Sequence, residues 1–254
     1  MLSANSLDAE RILRSDFIQN RFAYHPGQHV SFFGPTGDGK STLAFHLLSE
    51  VATEDLPVVN LVVKPKDPDV RKLSDAAGFK LVTTWPPNRV PQMWEGRPRG
   101  WTLWPKHKLG DLNATNATLY QQMVKALQDS YVKGNRIVFA DEIAGIIELD
   151  APTRGAVSTR DWVEAIYSRG RSMGTGQWAA TQQPTWVPRK MYSQASHLFL
   201  SPDPDREARK RYSEIGGIDP KLILHNLERC HAFEFVYVGK RTSTNPAVIC
   251  IVGA

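Results

Sequence analysis

Gly34-Pro-Thr-Gly-Asp-Gly-Lys-Ser-Thr42 decides how the rest of the chain is read. Its spacing, G-x-x-x-x-G-K-S, is that of a phosphate-binding P-loop, the Walker A motif. Glycines at 34, 37 and 39 let the backbone turn tightly, so that successive amide N–H groups can point into one concave nest. A helix starting near Lys40 adds its positive N-terminal end at the same spot. In this pattern Lys40 reaches the β- and γ-phosphates as a point charge, and the Ser41 hydroxyl ligates Mg²⁺. Pro35, Thr36, Asp38 and Thr42 complete the cradle. The flanks suit the motif: His29 to Phe33 reads as a short buried strand, and Leu43, Leu47, Leu48 and Val51 form an apolar helical stripe. The residues point to a site for a nucleoside triphosphate, with ATP and Mg²⁺ as the expected ligands.

Working outward, 254 residues suffice for one sizeable α/β core and are short for two full domains. We expect a leader over residues 1–28 and an ATPase domain over 29–254. In the leader, Leu7, Ile12, Leu13 and Phe17 suggest a short helix, and Pro26-Gly27 punctuates before the P-loop strand. The 41% hydrophobic and 22% charged composition is that of an ordinary globular protein. A net charge of +5 weakly favours a polyanionic partner. Cys230 and Cys250 are too few for a disulfide framework and lack metal-ligand spacing, so no zinc is expected. No window approaches the ~18 apolar residues of a membrane span, and the charged N-terminus has no apolar signal core. These features lead us to expect a soluble, cytoplasmic protein of a reducing compartment.

Along the chain, Val58 to Val63 reads as a strand of the continuous apolar kind that parallel sheets bury. A helix about Val70 to Ala77 and a strand at Lys80 to Thr84 come next. Leu119, Met123, Leu127 and Tyr131 set a helix over Leu119 to Val132, which Gly134 stops. Ile137 to Ala140 is a buried strand ending in Asp141-Glu142. Then come a helix over Arg160 to Arg169, a strand over Gln177 to Thr181, a helix opened by Pro188, and a strand over His197 to Leu200. A helix over Asp205 to Ile215 carries expected i,i+4 pairs Asp205–Arg209 and Glu207–Arg211. Phe233 to Val238 and Ala247 to Val252 close the chain as a hairpin. The alternation specifies an α/β fold: a mainly parallel central sheet flanked by helices, with a C-terminal β-hairpin.

Residues 86–110 differ from their surroundings. They hold five prolines, the basic residues Arg89, Arg97, Arg99, Lys106 and Lys108, and one acid, Glu95. Trp94, Trp101 and Trp104 lie among them, with Trp85 just before and a strand possible over Trp101 to Trp104. A connection this long is usually functional or disordered. Two readings stand: a solvated crossover whose tryptophans pack on the core, or a surface whose cations and aromatics meet nucleic acid. On the second, Arg97, Arg99, Lys106 and Lys108 are the candidate DNA contacts.

Four apolar residues and then Asp-Glu make the Walker B pattern. Asp141 would hold Mg²⁺ with Ser41, and Glu142 would polarise the attacking water as general base. Thr181-Gln182, at another strand end, supplies a polar side chain that can sense the γ-phosphate. Arg169 and Arg171, in Ser168-Arg-Gly-Arg-Ser-Met-Gly174, can act as an arginine finger on a neighbour's nucleotide.

Arg171-x-x-Gly174 and then Ala180-Thr-Gln-Gln-Pro184, together with the P-loop and Ile137 to Glu142, resembles the motif set of the FtsK/HerA superfamily of DNA-pumping ATPases. The matched motifs run in order through residues 30–200. A compact chain without membrane spans looks most like a viral or phage genome-packaging ATPase. The resemblance implies an ASCE, RecA-like P-loop NTPase fold and a homo-oligomeric ring, pentamer or hexamer, with nucleotide at each interface and double-stranded DNA through the centre. It implies a portal or capsid protein as a further partner. Carried over by motif, Gly34 to Ser41 bind phosphates, Asp141 and Glu142 handle metal and water, Gln182 senses, and Arg171 is the trans-acting finger, with Arg169 its rival. Two alternatives share the nucleotide site: a conjugation or segregation ATPase, and a nucleotide-gated assembly factor that moves no nucleic acid.

Overall fold

The computed structural model describes residues 7–87, 96–151, 153, 155–215, 218–240 and 247–253. In chain order these form β1 (Glu10–Ile12), α1 (Arg14–Asn20), β2 (Val30–Phe33), α2 (Lys40–Val51), β3 (Val58–Leu61), α3 (Pro68–Ala76), β4 (Lys80–Val82), β5 (Gly100–Leu103), α4 (Leu112–Lys133) and β6 (Arg136–Ala140). The remainder are α5 (Ile143–Ile147), α6 (Thr159–Arg169), β7 (Thr175–Thr181), α7 (Lys190–Ser193), β8 (His197–Leu200), α8 (Arg206–Ser213), α9 (Pro220–Glu228), β9 (Phe235–Gly239) and β10 (Val248–Val252). Short 3-10 turns lie at Gly170–Met173 and Pro184–Trp186. The chain divides into two compact units, one of residues 1–24, 29–40 and 181–254, the other of 25–28 and 41–180. Among the described residues no helix is long and apolar enough to cross a membrane.

In the second unit the strand order is β7-β6-β3-β5-β4, with every pairing parallel. Ile137 to Ala140 and Val58 to Leu61 are wholly buried, as strands covered on both faces must be. Leu61 pairs with Ala140, so β3 and β6 end level and the loops leaving them emerge at one edge. Helix α2 lays Phe45 edge-on to Phe139 of β6, ring centroids 5.5 Å apart. Burying each such ring stabilises by roughly 1.5–3 kcal/mol. Helix α4 starts where Asp111 accepts from the Ala114 N–H, and buries Leu119, Met123, Ala126 and Leu127 on one face. It stops at Gly134, whose φ is +69°; a Cβ there would stand 2.3 Å from the Met173 carbonyl oxygen. Only glycine fits.

In the first unit the order is β1-β10-β9-β8-β2. Strands β2 and β8 are parallel, β9 runs antiparallel to both β8 and β10, and β1 is parallel to β10. The expected closing hairpin is therefore present as β9 and β10. Residues 10–20, expected to hold only a helix, supply both an edge strand and a helix. Ile12 pairs with Val252, because a strand satisfies the open N–H and C=O groups along the edge of β10. The helix begins only at Arg14 and buries Phe17, whose ring meets Tyr237 at 4.7 Å and Phe199 at 5.8 Å. On α8 the ion pairs differ from those expected. Arg209 donates to the Asp203 carbonyl at 3.0 Å and lies 3.8 Å from Glu228, while Arg211 pairs with Glu214 at 3.1 Å. Asp205 is used instead as the N-cap, accepting from the Glu207 N–H.

Candidate nucleotide site

The first unit holds Gly34 to Lys40 of the candidate phosphate loop. Gly34 has φ +147°, and a Cβ on it would fall 2.4 Å from that of Ser201, just past β8. Gly37 has φ +89° with open space around it, so conformation alone requires glycine there. Lys40 is 7% exposed, and its Nζ donates to the carbonyls of Gly34 at 2.8 Å and Pro35 at 2.5 Å. The ammonium is thus folded inside the turn that its own loop makes. Thr36 and Gly37 are exposed at the crest. Ser201 donates its hydroxyl proton to the Asp38 carboxylate, tying the loop to the end of β8. Burial raises the Asp203 carboxyl above its ordinary range, and the charges of Asp205 and Asp38 push the same way. Nothing in the sequence marked Ser201 or Asp203, since no motif spacing links them to the P-loop. Gln182 is half-buried just past β7, where the Thr181 hydroxyl and the Gln183 backbone are 3.3 Å apart.

The second unit holds the acidic residues. Ser41 Oγ donates to Asp141 Oδ1 at 2.5 Å, bridging one hundred residues of sequence. Asp141 Oδ2 lies 4.0 Å from Lys64 Nζ, which is 3.2 Å from Asp67. The level ends of β3 and β6 set this meeting. Burial alone would lower the Lys64 ammonium pKa, but Asp141, Asp67 and Glu142 outweigh it and hold it above its ordinary value. Lys64 was missed because a lone lysine after a strand reads as a stop signal. Its main chain is fixed: Trp104 Nε1 donates to the Lys64 carbonyl at 2.7 Å, and His107 Nε2 is 2.9 Å from that of Val63. Glu142 is the N-cap of α5 and its side chain makes no capping bond. A hydroxyl beside a carboxylate is a hard-oxygen pair that fits Mg²⁺, which takes one or two protein oxygens and completes its shell with water and phosphate. Among the described residues no group of three or more His, Cys, Asp or Glu could hold a metal by itself.

The two candidate finger arginines differ. Arg169, ending α6, places its guanidinium 5.9 Å from the Tyr131 ring centroid. Arg171 is exposed in the 3-10 turn, its carbonyl accepting from the Gly174 N–H at 3.1 Å. That bond pins the backbone there.

The basic connection separates into parts. Trp101 lies in β5, edge-on to the buried Trp85 at 5.8 Å, with the Arg136 guanidinium near both rings. These tryptophans, and Trp104 through its bond to Lys64, pack into the unit. Arg99 donates to the carbonyls of Ala52 at 2.8 Å and Ser49 at 2.5 Å, closing the C-terminal end of α2. Arg97, Lys106 and Lys108 are exposed. Arg89, Trp94 and Glu95 lie outside the described residues.

No protein-family model matches the sequence, and no curated protein matches it. Solved structures do resemble it. B204, the DNA-packaging ATPase from Sulfolobus turreted icosahedral virus, superposes with a TM-score of 0.59 at 14% identity, covering 91% of this chain and 100% of B204. VirB4 of Thermoanaerobacter pseudethanolicus gives 0.62 at 9% identity, covering 89% of each chain. The cytoplasmic domain of the type VII secretion ATPase EccC from Thermomonospora curvata gives 0.51 at 15% identity, covering 93% of this chain and 26% of EccC. B204 of Sulfolobus turreted icosahedral virus 2 has been solved with AMPPCP and with ATP-gammaS. The α/β fold of this chain is the one shared by B204, VirB4 and EccC.

Proposed function

We propose that this chain is an ATP-hydrolysing ring motor that translocates double-stranded DNA, packaging a viral genome into a capsid. The observation that carries the reading is the 2.5 Å contact of Ser41 with Asp141, which joins Walker A to Walker B. The likeness to B204 supports packaging as the task. A second reading, a conjugation or segregation ATPase, would use the same chemistry.

Gly34 to Thr42 would cradle the triphosphate, the Lys40 ammonium leaving its own loop carbonyls for the β- and γ-phosphate oxygens. Ser41 and Asp141 would hold Mg²⁺, which when bound neutralises charge on the phosphate oxygens. Glu142 would accept a proton from the attacking water. Gln182 would orient that water or sense the γ-phosphate, and Arg171 would stabilise transition-state charge on a neighbouring subunit's ATP. Ring assembly, a portal or capsid partner and a place in the host cytoplasm belong to the same proposal.

Titration of ATP with Mg²⁺ tests the site. Lys40→Ala should weaken ATP binding by about tenfold or more through the lost charge-assisted contacts while circular dichroism is unchanged. Wild-type affinity in that variant would place the nucleotide elsewhere.

The exposed cations Arg97, Lys106 and Lys108 support a DNA-facing role. Changing all three to Gln should flatten the salt dependence of DNA binding by up to about 0.9 per lost phosphate contact and spare basal ATPase. An unchanged salt slope would move the DNA contact away from this surface. Arg99→Gln, by contrast, should act on stability, costing about 1 kcal/mol through the uncapped end of α2.

A further inference from the structure

Phe233 is 52% exposed and sits at φ +65°, a left-handed conformation that bulky residues avoid. Its Cδ1 lies 3.4 Å from where a Cβ on Gly39 would stand, so the ring edge borders the space beside the last glycine of the P-loop. The segment around it is braced from several sides. Arg14 donates to the Phe233 carbonyl at 3.0 Å. Glu234 receives Arg11 Nε at 2.9 Å and the His231 N–H at 2.8 Å, and Arg11 also reaches the Arg229 carbonyl at 2.7 Å. Residues of β1 and α1 therefore hold a half-exposed ring, in a backbone conformation it disfavours, against the phosphate loop. A ring that remains half in water contributes little burial to folding, so packing alone does not account for this bracing.

A planar apolar face next to a phosphate nest is what the base of a nucleotide needs. Base–aromatic stacking is indifferent to the base's hydrogen-bonding edge, and a purine offers more area than a pyrimidine. We infer that Phe233 is the stacking platform for the purine base of the bound nucleotide, and that Arg14 is its positioning residue. The inference rests on the reading of Gly34 to Ser41 as a nucleotide site and adds the recognition of its base. It gives residues 10–20 a task at that site.

Calorimetric titration with two probes, Mg²⁺-ATP and inorganic tripolyphosphate, separates base from phosphate. Phe233→Ala should weaken ATP about tenfold, within the range that losing a base–aromatic stack produces, and leave tripolyphosphate affinity unchanged. Phe233→Tyr, which keeps the ring, should restore ATP binding, and Arg14→Met should fall between. Wild-type ATP affinity in Phe233→Ala would overturn the inference. So would equal loss of both probes, because that would mark the ring as a support for the loop. If neither probe binds the wild type, the P-loop reading itself fails, which is a different result from either.

Discussion

Glu142→Gln is expected to bind ATP as the wild type does and to hydrolyse it about 10²- to 10⁴-fold more slowly, the usual contribution of a positioned general base. The substitution keeps size and hydrogen-bonding capacity and removes only the group that takes the proton. The side chain makes no bond in capping α5, so the helix start does not depend on the carboxylate. Asp141, one residue earlier, keeps its contact with Ser41 and with it the pair proposed to hold Mg²⁺. The effect therefore belongs in kcat, with little change in ATP affinity. Single-turnover hydrolysis and nucleotide titration on the same preparation check this. Turnover at the wild-type rate would remove Glu142 from the role of base.

Arg171→Ala should cost still more, about 10³- to 10⁵-fold in turnover if it supplies the transition-state charge of a finger, with ATP binding retained. Because the finger is proposed to act on the next subunit, activity per chain should rise with protein concentration in the wild type. Mixed rings decide between cis and trans. Arg171→Ala lacks the finger and keeps a working site; Lys40→Ala lacks the site and keeps the finger. Rings containing both should regain part of the activity, since some intact sites then face a neighbour that carries Arg171. No rescue at any ratio, in rings shown to be mixed, would count against the trans role. Arg169→Ala run in parallel distinguishes the rival. The cation–π contact of Arg169 with Tyr131 gives that residue a structural task on α6.

The glycine turn between β2 and α2, and the strand β6, were legible because their information is local. Glycine spacing, a flanking apolar strand and an amphipathic helix are all short-range patterns, and both motifs lie at the ends of buried strands. The strands β6 and β8 could be read from unbroken apolar runs for the same reason. Residues 10–12 were not legible as a strand: Glu10-Arg11-Ile12 has no β pattern of its own, and only the edge of β10, some 240 residues later, makes it one. Lys64 and Ser201 acquire their places through strand register, which no single-segment pattern encodes. Helix α9 is a different case, since Asp219-Pro220 is an N-cap with an N1 proline after it and the signal was present. The tryptophans of the basic connection misled in part. Interleaved cations and aromatics suit nucleic acid, yet Trp85 and Trp101 serve the packing around β5, and Arg99 closes a helix.

The measurement that bears most directly on the proposed motor is the ATPase rate of the assembled wild-type chain with and without double-stranded DNA, at two salt concentrations. A DNA motor should turn over ATP with Mg²⁺, be stimulated by duplex, and lose that stimulation as salt displaces the phosphate contacts. Hydrolysis indifferent to DNA at both salts, with Glu142→Gln inactive, would keep the ATPase and contradict the motor.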